Sequence, residues 1–205
     1  MPSPQVEFKC AVEGLVDEAV IRKIMDFAGV RIGGVYVAGG KGNLRPKISG
    51  YNNQAKSCLW VVLIDLDDEE DCAPPFRESL LPRPSPYMCL RIVVHEIEAW
   101  LMADREHLSE FLKVNISRIP QEPEAIPDPK ERMVELARSS RSRATREDMV
   151  PRPGSGRSIG PAYSSTLSRF VWDRESGWNP EVAMQNSDSL RRCIHCIRHK
   201  AAEFQ

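Results

Sequence analysis

The stretch SCLWVVLIDLDDEED, residues 57–71, decides the fold class, because it passes directly from apolar residues into acidic ones. A nearly continuous apolar run of this length is typical of a central parallel strand that is buried on both faces. Its acidic end is dense, since Asp65 and Asp67 are followed by Asp68 and three further carboxylates. Carboxylates this close repel one another, so a metal ion, a basic partner or bulk water must offset their charge.

Three other segments have the pattern of strands: VEFKCAVEG (6–14), GGVYV (33–37) and YMCLRIVV (87–94). Apolar residues at helical spacing fill DEAVIRKIMDFAG, in which Asp17 is the expected N-cap and Gly29 the expected stop. A second helix is predicted over EIEAWLMADREHLSEFLK, residues 96–113. This order predicts an α/β fold with a mostly parallel four-stranded sheet flanked by helices.

The composition changes beyond this predicted core. A proline-rich segment comes first, and it is followed by a helix with Asp128 as its N-cap. The stretch RSRATREDMVPRPGSGRSIG, residues 141–160, is expected to be flexible and basic, and two further helices follow it. We therefore predict a core over residues 1–115 and a helical extension over residues 116–205 that packs on it.

The whole chain has 205 residues, of which 41% are hydrophobic and 28% charged, and its net charge is −1. This balance is that of an ordinary globular protein, and it provides no overall positive field that would draw the chain onto nucleic acid or a membrane. No apolar run has the length that spans a bilayer, and MPSPQVEFKC at the N-terminus lacks the pattern of a secretory signal. We expect a cytoplasmic protein without a membrane partner.

The sequence contains six cysteines: Cys10, Cys58, Cys72, Cys89, Cys193 and Cys196. Those in the strand-like runs FKCAVEG, SCLWVVLID and MCLRIVV are interpreted as small buried side chains rather than disulfide partners. Cys193 and Cys196 form a CxxC motif with His195 and His199 nearby, a pattern that can suggest zinc. No second cysteine pair stands at a matching distance, and the motif shares a helix face with apolar residues, which favours a core-facing terminal helix.

The carboxylates that end the strands form the candidate site. In extended backbone Asp65 and Asp67 point to the same side, and Glu13 ends the first strand. Sites in parallel sheets form at the carboxyl ends of the strands, where His95 and Glu96 also stand. Hard divalent cations such as Mg²⁺ prefer carboxylate oxygens, so this edge predicts a metal site. The alternative is that residues 65–71 form a solvated acidic loop.

Two of these segments resemble the motifs of the Toprim fold, which is found in topoisomerases, bacterial primases, small maturation ribonucleases and overcoming-lysogenization-defect nucleases. CAVEGLVDEAVI (10–21) resembles the first motif, and WVVLIDLDD (60–68) resembles the second. VVHEIEAWLMAD (93–104) is similar to a segment in a bacterial family of unassigned function with a Toprim-like core. The resemblance implies metal-dependent phosphodiester chemistry, often in defence against foreign DNA.

The resemblance also implies roles for individual residues. Glu13 matches the Toprim glutamate, and Asp65 and Asp67 match its DxD pair, so these three are the expected catalytic residues and ligands of Mg²⁺ or Mn²⁺. Glu98 has no counterpart in the minimal motif. It is either a further metal ligand or an acidic residue that favours the start of its helix.

Four basic residues are candidates for binding the phosphates of a substrate. Lys41 and Arg45 lie in the glycine-rich segment GGKGNLRPK, which forms either a phosphate contact or a surface turn. Arg141 and Arg143 belong to the basic stretch, which suits a nucleic-acid backbone because phosphate contacts need charge more than precise geometry. The alternative for this stretch is a solvated linker that pairs with the acidic loop.

Two classes of function follow from these observations. The first is a metal-dependent nuclease that hydrolyses nucleic-acid phosphodiesters. A separate and weaker hypothesis is phosphotransfer or hydrolysis on a small nucleotide. The second is a catalytically silent binding or sensor module that works with a separate ATPase, for which this chain has no room. A homo-oligomer is compatible with both. The nuclease hypothesis requires that Glu13 and the aspartate pair converge on one point.

Overall fold

A computed structural model describes residues 6–66 and 72–204 of the chain. It divides into two compact units. The sheet unit comprises Met1–Val94 and Asp188–Gln205, and the helical unit comprises His95–Ser187. This division differs from the predicted boundary at residue 115, because the segment after the fourth strand packs with later helices while the last helix packs on the sheet.

The sheet has four strands: β1 (Glu7–Val12), β2 (Arg31–Val37), β3 (Leu59–Asp65) and β4 (Met88–Val93). All neighbours pair in parallel, in the order β2-β1-β3-β4. Every residue of β3 is buried, as its continuous apolar run predicts, whereas β2 lies at an edge and is largely exposed. The predicted α/β fold with a four-stranded parallel sheet flanked by helices is confirmed.

Eleven α-helices lie in the described residues: α1 (Leu15–Ala28), α2 (Lys41–Leu44), α3 (Ile48–Gln54), α4 (Ala73–Leu80), α5 (Ile97–Met102), α6 (Arg105–Leu112), α7 (Pro129–Arg138), α8 (Arg143–Met149), α9 (Tyr163–Trp172), α10 (Pro180–Ala183) and α11 (Asp188–Glu203). Three short 3-10 helices span Arg45–Lys47, Ile116–Arg118 and Pro123–Ala125. None of the helices in the described ranges is both long enough and apolar enough to cross a membrane.

The alternation of side chains along β3 separates the two faces of the sheet. Trp60, Val62 and Ile64 point to one face, where they pack with residues of α2, α3 and α4 such as Leu44 and Phe76. The helices α1 and α11 pack on the strands as well, and they contact each other. Both faces of β3 are therefore covered, which explains why a strand that is apolar from Leu59 to Ile64 is stable there.

The interpretation of Cys89 as an unpaired buried residue is wrong, because Cys89 of β4 forms a disulfide with Cys196 of α11. Cys10 and Cys193 remain free and buried. Burial raises the pKa of each of these two thiols to about 12, so both stay protonated and neutral. The terminal helix thus faces the core, as predicted, and Cys196 cannot serve as a zinc thiolate while it is oxidised.

The start of α1 differs from the prediction. Gly14 is its N-cap residue and Asp17 is the third residue of the helix, so the capping role expected for Asp17 is wrong. Gly14 has an extended backbone, with φ −136° and ψ −175°, which lets the helix begin at once after β1. The predicted stop is confirmed, since Gly29 has a φ of 72° in the left-handed region.

Residues 96–113 form two helices, α5 and α6, instead of the one predicted helix. The break falls at Asp104, whose fully buried carboxylate accepts a hydrogen bond from the backbone N–H of Asn179 at 2.8 Å. Nδ1 of His107 lies 2.8 Å from the same carboxylate. A buried carboxylate with these partners overrides the helical propensity of the segment.

The basic stretch that was expected to be flexible contains a helix, α8. Its N-cap is Ser142, whose side chain accepts a hydrogen bond from the backbone N–H of Thr145. Gly160 donates its N–H to the carbonyl of Met149 at 2.9 Å, so the chain after the helix returns to it. A Cβ on Gly160 would stand 2.4 Å from the carbonyl oxygen of Asp148, and only glycine allows this approach.

Candidate functional site

Glu13 and Asp65 come together at the carboxyl ends of β1 and β3. The two strands are neighbours in parallel register, with Ala11 opposite Val62, so the residues that follow them lie at the same edge. The backbone N–H of Asp65 donates a hydrogen bond to Oε1 of Glu13 at 2.9 Å. Asp65 is only 8% exposed, and Glu13 is half-buried. The first two of the predicted catalytic residues thus share one small region.

The turn after β2 wraps around the backbone of Glu13. The N–H groups of Gly39 and Gly40 both donate to the carbonyl oxygen of Glu13 at 3.0 Å. Both glycines have positive φ, 76° and 113°, a backbone conformation that residues with a Cβ rarely adopt. This glycine pair therefore brings the start of α2, with Lys41, to the same edge of the sheet.

Lys41 and Arg45 both pack against Phe76 of α4. Nζ of Lys41 lies 4.8 Å from the centre of the Phe76 ring and donates a hydrogen bond to the carbonyl of Leu66 at 3.1 Å. Cζ of Arg45 lies 5.8 Å from the same ring. The cation–π contacts and the bond to the residue after Asp65 hold two positive charges beside the end of β3.

Asp17 adds a carboxylate that sequence reasoning placed in a capping role. It is 6% exposed, and its Oδ2 lies 3.3 Å from the position that a Cβ on Gly14 would occupy. The carboxylate therefore folds back onto the turn between Glu13 and α1. The signal for this was the spacing of two acidic residues around a glycine, Glu13-Gly14 and Asp17, at the start of a helix.

Asp67 and the acidic residues 68–71 lie outside the described residues. Among residues 6–66 and 72–204, no three or more histidine, cysteine, aspartate or glutamate side chains form a group that could hold a metal ion. The chemistry of the donors nevertheless fits a hard divalent cation. Glu13 and Asp65 offer carboxylate oxygens from adjacent strands, and Mg²⁺ uses one or two protein carboxylates together with water and substrate phosphate.

Glu98, the fourth predicted metal ligand, is the second residue of α5 in the helical unit. Its side chain is 2% exposed, and its Oε1 accepts a hydrogen bond from the hydroxyl of Tyr163 at 3.0 Å. Its Oε2 is buried and has no hydrogen-bond partner within the described part of the chain. Burial raises the pKa of this carboxyl, and burial together with Glu98 raises the pKa of Tyr163 well above its usual range.

The residues just before Glu98 are tied into the same unit. Glu96 accepts a hydrogen bond from the backbone N–H of Lys130 at 2.8 Å and pairs with the ammonium group of that lysine. His95 has a φ of 59°, a strained backbone for a residue with a side chain, and its buried Nδ1 lacks a hydrogen-bond partner among the described residues. The two contacts with Lys130 make Glu96 a capping partner for the first turn of α7.

The predicted phosphate-binding residues Arg141 and Arg143 are exposed, and both belong to the helical unit. The backbone N–H of Arg141 donates to the carbonyl of Lys113 at 3.2 Å. Nε of Arg143 pairs with Glu147 at 2.7 Å. The structure thus divides the predicted site residues between the units, with Glu13, Asp65, Lys41 and Arg45 in the first and Glu98, Arg141 and Arg143 in the second.

Comparison of the chain with protein-family models, with curated proteins and with solved structures gave no match. The resemblance to the Toprim fold stays a prediction that rests on the motifs around Glu13 and Asp65. The geometry on which a functional proposal can draw is that of the sheet edge itself.

Proposed function

We propose that the chain is a Toprim-like, metal-dependent nuclease that hydrolyses phosphodiester bonds of nucleic acid. One observation carries the proposal: the amide of Asp65 binds the carboxylate of Glu13 at 2.9 Å where two neighbouring parallel strands end. The carboxyl ends of parallel strands are the usual place for sites in such sheets. Two carboxylates at that place are the donors that a divalent cation needs.

Glu13 and Asp65 would hold Mg²⁺ or Mn²⁺, and the sequence adds Asp67 to this set. When bound, such an ion supplies an activated water and stabilises the charge of the phosphoryl group. The chain's own contribution is orientation. The amide of Asp65 and the glycine turn hold Glu13 at the strand end, so that its carboxylate can bind the ion or accept a proton from water.

Lys41 and Arg45 would bind the phosphate next to the scissile bond. Both are already held near Phe76, which reduces the conformational freedom that they lose on binding substrate. Lysine and arginine suit this role because their hydrogen bonds to phosphate are charge-assisted. The expected setting is the cytoplasm, in bacterial defence, alone or with a separate ATPase.

The test is a cleavage assay with labelled single- and double-stranded DNA and RNA in Mg²⁺ or Mn²⁺. We expect Glu13→Gln and Asp65→Asn to lower the rate by about 10²-fold or more, and Lys41→Gln to lower it by about tenfold. The matched control is Glu7→Gln, which makes the same change at the opposite end of β1. Wild-type cleavage by both Glu13→Gln and Asp65→Asn would overturn the proposal.

A calorimetric titration with Mn²⁺ separates the two classes of function. Heat of binding that Asp65→Asn removes, together with cleavage, supports the nuclease. Binding of Mn²⁺ and nucleic acid without cleavage of any of the four substrates would instead support the silent binding module. Melting curves of each variant show whether a lost signal reflects lost folding.

A further inference from the structure

Four arginines line one open cavity of the helical unit. The cavity has a volume of about 710 Å³, and its wall includes Arg138, Arg143, Arg146 and Arg152. Arg143 was predicted as a phosphate-binding residue, and Arg146 and Arg152 belong to the basic stretch that was expected to suit a nucleic-acid backbone. The volume lies within the range of about 300–1,000 Å³ that is typical of ligand sites.

The arginines reach the cavity from three consecutive pieces of backbone. Arg138 ends α7, Arg143 and Arg146 lie on α8, and Arg152 stands between Pro151 and Pro153. The prolines restrict the backbone on both sides of Arg152, so this side chain projects from a stiff segment. The arrangement replaces the flexible basic arm that the sequence predicts with a defined concave surface.

Arg146 is held in place by its surroundings. Its Nη1 donates a hydrogen bond to the carbonyl of Ser140. Ser140 is itself buried, and its hydroxyl donates to the carbonyl of Leu112 and accepts from the N–H of Ser142. The guanidinium of Arg146 is therefore oriented before any ligand binds, which lowers the entropy cost of binding.

The charge of the lining is strongly positive. Glu147 is the acidic residue of this wall, and it pairs with Arg143 through side chains that are 61% and 84% exposed, respectively. Exposed pairs of this kind are weak, at about 0–1 kcal/mol, so an anionic ligand can replace Glu147 as a partner. Four guanidinium groups against one carboxylate select an anion with more than one negative charge.

The chemistry of the wall selects phosphate over base. Its other residues are Val150, Pro151 and Pro153, so the wall offers a nucleobase no aromatic ring to stack on. Guanidinium groups match phosphate oxygens with paired hydrogen bonds. A phosphate monoester carries about −1.5 to −2 charges near pH 7, more than the single charge of a phosphodiester in a chain.

We propose that this arginine pocket binds the terminal phosphate monoester of a nucleic-acid strand, independently of base sequence. The inference rests on the proposed function only for nucleic acid as the carrier of the phosphate. The pocket would bind the charged phosphate at the end of a nucleic-acid strand, whereas Glu13 and Asp65 belong to the sheet unit and would act on the phosphodiester bond.

The test measures binding of one fluorescent oligonucleotide with a 5′-phosphate, a 3′-phosphate or hydroxyls at both ends, in EDTA to prevent cleavage. We expect a phosphorylated end to bind at least about tenfold more tightly than the hydroxyl form, and the preference to weaken as salt rises. A scrambled base sequence should bind equally well. Equal binding of all three end forms would overturn the proposal.

Variants locate the preference. Arg152→Gln changes an exposed side chain, and we expect it to reduce the preference for a phosphorylated end at least about threefold. In the double variant Arg146→Gln/Arg152→Gln, the phosphorylated and hydroxyl forms should bind with affinities that differ by less than about twofold. The control is Arg174→Gln, an exposed arginine of the same unit outside the pocket, which should retain the preference. A preference that survives in the folded double variant would contradict the assignment.

Two further arms separate this inference from its alternatives. Asp65→Asn should keep the preference while it loses cleavage, and a preference without any cleavage by the wild type would leave the pocket standing and remove the nuclease. Cleavage without a preference for phosphate ends would support the nuclease and overturn the arginine pocket as a phosphate site. A phosphoserine peptide that competes as strongly as the phosphorylated oligonucleotide would overturn nucleic acid as the carrier.

Discussion

The sheet unit and the helical unit are built by different kinds of interaction. The sheet unit has four strands in regular parallel register, a central strand that is buried throughout, and a disulfide from β4 to α11. The helical unit has short helices whose buried side chains bind backbone groups far away in sequence. Regular pairing places functional groups at a strand end by register alone, whereas side-chain bonds place them one at a time.

Glu13 and Glu98 show the consequence for the candidate site. Glu13 is half-buried and accepts a backbone N–H from the neighbouring strand, a partner that strand register supplies. Glu98 is 2% exposed and accepts a hydrogen bond from the hydroxyl of Tyr163, 65 residues away in the sequence. The first geometry can present a carboxylate to a substrate, and the second removes a carboxylate from water. The two glutamates should therefore respond differently to pH and to substitution.

The disulfide provides the largest expected effect, and it concerns the sheet unit. Cys89→Ser should lower the free energy of unfolding by about 2–4 kcal/mol, because the disulfide closes a loop with a sequence separation of 107 residues in the unfolded chain. Denaturant titration measures the change, and hydrogen exchange by mass spectrometry assigns it to a unit. Reduced wild type should match Cys89→Ser, and the exposed Cys72→Ser should behave as oxidised wild type.

The same hydrogen-exchange measurement compares the two units. If protection from hydrogen exchange falls in β4 and α11 while α5 to α10 keep theirs, the two units respond separately. A wild-type unfolding midpoint that reducing agent leaves unchanged would contradict a stabilising disulfide.

The next effect concerns Glu98 and depends on pH. Its pKa is raised in the folded protein above the ordinary value of 4.5, so the folded state holds a proton that the unfolded state releases as pH rises past that value. Wild type thus loses stability as pH rises from 4.5 towards the folded pKa. Glu98→Gln avoids this loss, so at pH 8 its free energy of unfolding should exceed that of wild type by about 1–3 kcal/mol.

Urea titrations from pH 4 to pH 8 check this expectation, since wild type and Glu98→Gln should converge near pH 4. The control is Glu110→Gln, an exposed glutamate of α6, which should change stability by less than about 0.5 kcal/mol. A difference between wild type and Glu98→Gln that stays constant over this pH range would contradict a raised pKa for the buried Glu98 carboxyl.

The smallest effect concerns a helix cap. Asp128→Ala should lower the free energy of unfolding by about 1 kcal/mol, because the Asp128 side chain accepts the N–H of Glu131 at 2.7 Å at the start of α7. Asp128→Asn keeps an acceptor and should cost less. In the sheet unit, Gly14 caps α1 without a side-chain bond, so Gly14→Ala removes no cap and instead tests the close approach of the Asp17 carboxylate. Equal losses for Asp128→Ala and Asp128→Asn would contradict a hydrogen-bonded cap.

Much of the sheet could be predicted because its signals are local and periodic. The apolar run of β3, the alternation of β1 and the stop at Gly29 follow from rules that act within a few residues. No helix was predicted between β3 and β4, yet this segment contains α4, which begins with prolines in its first turn. A short helix with a low apolar content gives too weak a periodic signal to predict.

The candidate site, too, could be predicted only where local signals determine it. The approach of Glu13 and Asp65 follows from two strand ends in a parallel sheet, and the sequence by itself determined it. Only the tertiary structure decided the disulfide of Cys89, the burial of Glu98 against Tyr163, and the gathering of arginines around one cavity. These contacts join residues far apart in the chain or depend on how short helices pack, and no local pattern of residues encodes such packing.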